Sequence, residues 1–470
     1  MQGNSKAIER YIVLYIPWLL ALMCKSDSVL SYLVAWLGSF FIFLITLSGW
    51  VRPIPKDRTM AEQLMRPLFI IQIIFAGYMC CTSIFYFLNS LGYENFKQVT
   101  FHALHDKDTL GLIAQCQRYY CLAHASFITG VLIFMNYPTK KKYHIESTKL
   151  ANLLMAAAVI SFPVSLFFLK VPGLSQFYYQ FSSLSFIAGT LALAFAIPLK
   201  KVGNTIICLA LYSFNFYQAL ISGFKEPIII SVLVLGIFLY PNYKKIVTIT
   251  FVPLMLLLFL VLPTYNHIFR SAAWNGDTSS DEASQAALSA ALNTDDGEVE
   301  DTNWDFLVYR LSEIDMFTKF VQSTPKTIDY YGLDLIKQSL IALVPRVLWP
   351  SKPITEDLIM QRVYDAGVVN RNSVVSAKPA YVVDAYLSGG EFGIFFYLFA
   401  YGAIAQLISV KAEKLFGGYI LGTALIFSGL FQIMWRGISF EFIFNTIFWS
   451  YVSMLLIHKI LVGTHILKEV

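Results

Sequence analysis

The chain is built of long apolar runs separated by short polar turns. A helix needs ~20 apolar residues to cross the ~30 Å hydrocarbon core of a bilayer. By that measure twelve spans are predicted: 11–24, 28–50, 68–91, 114–136, 149–170, 181–199, 203–223, 227–241, 246–263, 386–409, 417–434 and 440–460. The runs at 28–50 and 68–91 carry no internal charge, and those at 11–24 and 227–241 are the shortest. Three regions follow: nine predicted helices in 1–263, a long polar loop in 264–385, and three more helices in 386–470.

The basic residues orient this arrangement. With the N-terminus inside, 18 of the 35 Lys and Arg fall in inside segments, from Lys6 and Arg10 through Arg58, Arg66 and Lys140–Lys142 to Lys459 and Lys468. Seven fall in short outer loops and caps: Lys25, Lys97, Lys107, Arg118, Lys170, Lys225 and Arg436. The other ten lie in the long loop, which the positive-inside rule does not weigh. Every predicted inside turn is basic, so both ends are expected inside and the loop 264–385 outside. The first apolar stretch runs into Leu22-Met23-Cys24, and Met23 is not the small residue that signal cleavage requires, so an uncleaved first span is expected.

Composition agrees with the pattern. A chain of 470 residues could hold about three soluble domains at ~150 residues each. Hydrophobic residues make up 57% and charged residues 14%, against ~25% charged in ordinary globular chains. That excludes a soluble protein, and with it collagen, coiled coil, disorder and nucleic-acid-binding domains. The net charge of +5 hides two opposed parts. The long loop holds 10 basic and 17 acidic residues, a balance of −7, which leaves +12 on the rest, since 5 − (−7) = 12. The six cysteines form no CxxC pair. Cys116 and Cys121 could pair near the outer face, but buried free thiols are the expectation.

Within the loop, 278–292 is rich in helix formers with an N-cap at Ser280, and the acidic run Asp295–Asp301 follows. Gly297 is misplaced for a calcium loop, so a solvated, mobile acidic insert is expected. The second half differs. Ile336–Trp349 is apolar but too short to cross and return, and a re-entrant or interfacial helix is predicted. It ends in Pro345-Arg346-Val347-Leu348-Trp349-Pro350-Ser351-Lys352-Pro353. Three prolines in nine residues stop a helix and stiffen the chain. Arg346 and Lys352 are then rigid cations suited to a phosphate-bearing headgroup, or cations that snorkel to ordinary lipid. The next span opens with Tyr386-Leu-Ser-Gly-Gly-Glu-Phe-Gly393.

A hydrophobic run, then PRxLWPxKP, then this Tyr/Gly-rich start resembles the bacterial oligosaccharide repeat-unit polymerases, the O-antigen polymerase (Wzy-type) family. The resemblance covers the topology loosely and 336–400 more closely. An arginine after the span that opens the long loop, here Arg270, and an outward-facing arginine, here Arg436, also fit. An arginine spaced ten residues before a glycine, found in some members, is absent from the long loop. The resemblance implies an all-α polytopic protein with GT-C-like membrane glycosyltransferase architecture. It implies glycosyl transfer between undecaprenyl-pyrophosphate-linked glycans at the outer face of the bacterial inner membrane. No cofactor and no metal would be needed. Expected partners are membrane lipids, a chain-length-regulating co-polymerase and a flippase, with no nucleic acid.

The residues suit that chemistry. Arg270, Arg346, Lys352 and Arg436 are candidates to stabilise a departing pyrophosphate. Candidate general bases for an acceptor hydroxyl are Glu391, Asp384 and His267, with Glu313 and Asp315. Glu391 beside Gly389 and Gly390 could equally cap a helix. The alternatives are an O-antigen ligase, a transporter or flippase, and an assembly protein. No acidic or basic residue lies mid-span and no repeat is seen, which disfavours an ion-coupled transporter.

Overall fold

The computed structural model describes residues 5–100, 107–138, 142–221, 226–275, 279–293, 296–372, 376–418 and 421–470. Helix dominates. Among the described residues the only strands are two short pairs, Tyr93–Glu94 with Lys97–Gln98 and Tyr143–His144 with Lys468–Glu469. Eight helices there are long and apolar enough to cross a membrane: Ser28–Leu47, Ile70–Ser90, Ser147–Lys170, Ser175–Ala196, Val202–Ile221, Lys244–Ala272, Tyr381–Leu415 and Phe440–Gly463. The chain is thus predominantly helical, with multi-pass membrane character.

The four remaining predicted runs also fall on helix. Run 11–24 overlaps helical segments from Ser5 to Met23, and 227–241 overlaps the short Glu226–Leu239 helix. Run 417–434 is broken into a π-helix at Leu421–Phe427 and two short pieces ending at Arg436. Run 114–136 becomes Lys107–Ile133, which is less apolar because it carries Gln117, Arg118, Tyr119 and His124. Nearly every side chain from Ile113 inward is buried there. A helix buried all round sits at the centre of a bundle, and such a helix can carry polar groups that find partners.

Its main neighbour is the Tyr381–Leu415 helix. A Cβ on Gly130 would overlap the Phe399 carbonyl, and one on Gly402 would overlap the Phe127 carbonyl. Two glycines on facing backbones allow this close approach, as small residues do in membrane bundles. The helices run parallel: Tyr119 meets Tyr386, Phe127 meets Tyr401, and Tyr137 meets Ser409. Gly402→Val should cost at least the ~1–3 kcal/mol of overpacking. The expected reading is a lower melting temperature of the detergent-solubilised protein, with the larger drop when Gly130→Val is added.

Segments assigned to the same side do meet. Arg66 is 1% exposed. It forks onto Glu413 (2.9 and 3.0 Å) and onto Asp57 (2.9 and 2.6 Å), and it stacks 3.7 Å from the Tyr137 ring. Arg58 adds 3.2 Å to Glu413 and donates to Gly418 O and Thr423 Oγ1. Two cations and two anions balance, so the buried charges are compensated. From sequence Arg58 and Arg66 were only turn cations. The C-terminal strand also lies on the turn at Tyr143–His144, and the Val470 N–H donates to Lys142 O.

The acidic insert departs from expectation. It is docked helix. Ser280–Asn293 packs on the C-terminal part of the Lys244–Asn275 helix, with Ala283 and Ala287 buried against Tyr265 and Phe269. Tyr217 donates to Asp281, and the Tyr265 and Ser284 hydroxyls are 2.9 Å apart. A reciprocal capping box starts it, Ser279 with Glu282, one residue before the predicted cap. The Asp296–Tyr309 helix is pinned by Trp304, buried against Phe85 and Phe96, and by Asp301 accepting from Asn95. The small, evenly spaced alanines of 283–291 were the sign of a packing face.

Candidate functional site

The Tyr381–Leu415 helix breaks at Gly389 and Gly390, and helix resumes at Glu391. Gly390 has φ +61°, a left-handed conformation that a side chain resists. Its carbon also faces Tyr330: a Cβ there would lie 2.9 Å from the hydroxyl. The interrupted backbone finds a partner in the loop, where the Tyr331 N–H donates to Leu387 O at 2.9 Å. Irregular backbone at membrane depth must be satisfied by protein or line a wet cavity, and here the loop supplies the bond.

Glu391 is exposed at this break. Counting along the two parallel helices, Glu391 lies eleven residues before Gly402 and Arg118 twelve before Gly130. At 1.5 Å per residue both sit ~16–18 Å from these glycines, toward the N-terminal ends of their helices. Arg118 and Glu391 are therefore level on neighbouring helices, and each lies within the other's field. Among the described residues no ion pair within 4.0 Å joins them. Arg118 is tethered by Ser31 Oγ at 2.8 Å. Tyr119 accepts from Gln115 at 2.7 Å and stacks on Tyr386, whose hydroxyl donates to Thr324 O. A carboxylate, a guanidinium and phenols are thus gathered at one end of these two helices, near the base of the long loop.

Asp384 lies elsewhere. It is fully buried and belongs to a clasp. Arg362, on the loop helix Thr355–Asp365, forks onto Glu441 at 2.7 and 2.9 Å and reaches Asp384 at 3.1 Å. Asp384 Oδ2 also accepts the Phe440 N–H at 2.8 Å. A buried carboxylate with two donors on one oxygen orients structure. The clasp ties the loop to the first turns of both the 381–415 and 440–463 helices.

The proline-rich segment is built differently from the expected pair of outward cations. Its preceding helix is Asp334–Leu343, which packs on the 440–463 helix, where Trp449 Nε1 donates to Leu343 O at 2.9 Å. Lys352 turns inward, is 7% exposed, and donates to Ala342 O (3.0 Å) and Val344 O (2.8 Å). It caps that helix's C-terminal carbonyls. Burial, and then Arg346, hold its ammonium pKa below the usual lysine value. Arg346 is partly exposed and donates to Pro350 O and Pro353 O, both at 3.3 Å, closing the turn on itself. Lys352→Met keeps the stem and strands two carbonyls, at ~1.5–3 kcal/mol for a charged hydrogen bond. The loop around 346–353 should then be cut faster in limited proteolysis while the membrane body stays intact.

The other candidates are not brought to the break. His267 is exposed and Arg270 partly buried, both on the Lys244–Asn275 helix, with Arg310 in electrostatic reach of Arg270. Arg436 ends the short Ile433–Arg436 helix, and its side chain lies outside the described residues. Glu313 precedes the Ile314–Ser323 helix in a left-handed conformation. Asp315 is in that helix's first turn, where burial raises its pKa against the Met316 N–H, Lys319 and Arg310. Sequence reasoning missed Arg118, Arg362 and the loop tyrosines as site residues. Arg118, a charge near the start of a predicted span, was the one visible sign.

An apolar cavity of about 320 Å³ lies between the 381–415 and 440–463 helices, walled by Leu343, Tyr401, Ile404, Phe444 and Phe448 among others. The family model described as Domain of unknown function (DUF8712) matches residues 16–469. The match takes in almost the whole chain, so the chain belongs to that family. No curated protein and no solved structure matches it.

Proposed function

We propose that this protein is a membrane glycosyltransferase that joins undecaprenyl-pyrophosphate-linked oligosaccharide repeat units, with twelve crossings, GT-C-like architecture, both termini inside and the loop 264–385 outside. The growing glycan leaves its carrier as the sugar–pyrophosphate C–O bond breaks. A new C–O bond forms to a hydroxyl at the non-reducing end of the next unit. Glu391 takes the hydroxyl proton, and pyrophosphate departs with the bonding electrons. The observation that carries this reading is the exposed carboxylate at a helix break, framed by tyrosines and a guanidinium at one end of the bundle. Phenol rings and opposite charges held apart suit hydroxyl-rich rings, and an apolar slot beside the loop suits a lipid chain.

Gel display of surface glycan from a deletion strain tests it. Acceptor carrying one repeat unit is expected. Bare acceptor with accumulating lipid-linked polymer would assign a ligase. Lipid-linked units trapped on the inner leaflet would assign a flippase.

A further inference from the structure

We infer that Arg118 and Glu391 together bind an anionic, hydroxyl-bearing ligand, with Arg118 holding the anion and Glu391 a hydroxyl. Arg346 and Lys352, the cations of the proline-rich turn, hold the loop instead. The inference deepens the glycosyltransferase reading and rests on it only for the identity of the anion.

Four observations support it. Arg118 and Glu391 are level on parallel helices whose separation is set by facing glycines. They attract one another yet, among the described residues, form no ion pair within 4.0 Å. A cation and an anion held apart offer complementary groups to a ligand that carries both a charge and a donor. Arg118 is fixed by Ser31, whose own hydroxyl donates to Ala21 O at 2.7 Å, so the guanidinium is preorganised. Tyr330 is 40% exposed and seats its hydroxyl against Gly390, placing a polar tip beside the break that Glu391 follows. In the turn, by contrast, the Lys352 donors are spent on Ala342 O and Val344 O, and Arg346 faces its own loop carbonyls.

The anion has two possible sources, the pyrophosphate of a lipid carrier or the carboxylate of an acidic sugar. Inorganic pyrophosphate and glucuronate separate them as probes in titration calorimetry on the purified full-length protein. Wild type should bind at least one. Arg118→Gln should weaken that binding tenfold or more, Ser31→Ala a few-fold, and Arg346→Gln less than twofold. Glu391→Gln should leave pyrophosphate binding intact or tighter. Pyrophosphate binding assigns the leaving group and glucuronate binding an acidic sugar. Ser31→Ala retains the charge, so it keeps the test decisive if Arg118→Gln fails to fold. Binding unchanged in both Arg118→Gln and Ser31→Ala, loss in Arg346→Gln, or no binding of either probe to wild type would overturn the inference. A chain that binds through Arg118 yet makes no polymer would keep this site and lose the polymerase reading.

Discussion

Arg362→Ala should remove most of the folded protein. The substitution leaves Asp384 and Glu441 buried, both 0% exposed, without their shared cation. Stranding a buried charge costs ~3–5 kcal/mol, against a total stability of ~5–15 kcal/mol for a typical domain. The loop helix Thr355–Asp365 would lose its tie to the 381–415 and 440–463 helices together. The expected reading is loss of the monodisperse peak in size-exclusion of detergent extracts. Arg362→Lys should fall between, because one ammonium cannot fork onto two carboxylates. Adding Asp384→Asn and Glu441→Gln to Arg362→Ala should recover part of the folded fraction, since the stranded charges are gone. No recovery would mean that the guanidinium acts through packing alone.

Glu391→Gln should do the opposite, sparing the fold and removing activity. The side chain is exposed and follows a break that its neighbours already satisfy, so the size-exclusion peak should be unchanged. Loss of a general base costs ~10²–10⁴-fold in rate. The mutant strain should display single repeat units at wild-type protein level. Asp384→Asn should instead act mainly on loop stability, since Asp384 is closed off from solvent. Equal polymer from wild type and Glu391→Gln would remove Glu391 from the mechanism.

Much of the fold was legible because a bilayer imposes a coarse, readable rule on length and polarity. Eight of the twelve apolar runs coincide, among the described residues, with helices long and apolar enough to cross a membrane, and the basic Arg66 meets Glu413 across the bundle. The loop was half legible. A short helix ended by Pro345 is what three prolines dictate, and Asp334–Leu343 stops there. Where its cations point was not readable, since Lys352 looks the same in sequence whether it faces a phosphate or caps a carbonyl. The acidic insert misled because its charges suggest solvation, while Ala283 and Ala287 decide its packing. The site was legible at Gly389-Gly390-Glu391, where two glycines interrupt a span. Its other half was hidden, because Arg118 is 273 residues away in sequence, counting 391 − 118. It comes level with Glu391 because Gly130 and Gly402 let the two helix backbones pack closely, which no local pattern announces. Arg362 was hidden for the same reason, its partners lying 22 and 79 residues on.

On the proposed function, this chain itself lengthens a lipid-linked glycan. Purified protein in liposomes, given undecaprenyl-pyrophosphate-linked repeat units and nothing else, measures it directly. A ladder of products spaced by one repeat unit, absent with Glu391→Gln, is the predicted result. Unaltered single units with folded wild-type protein would contradict it.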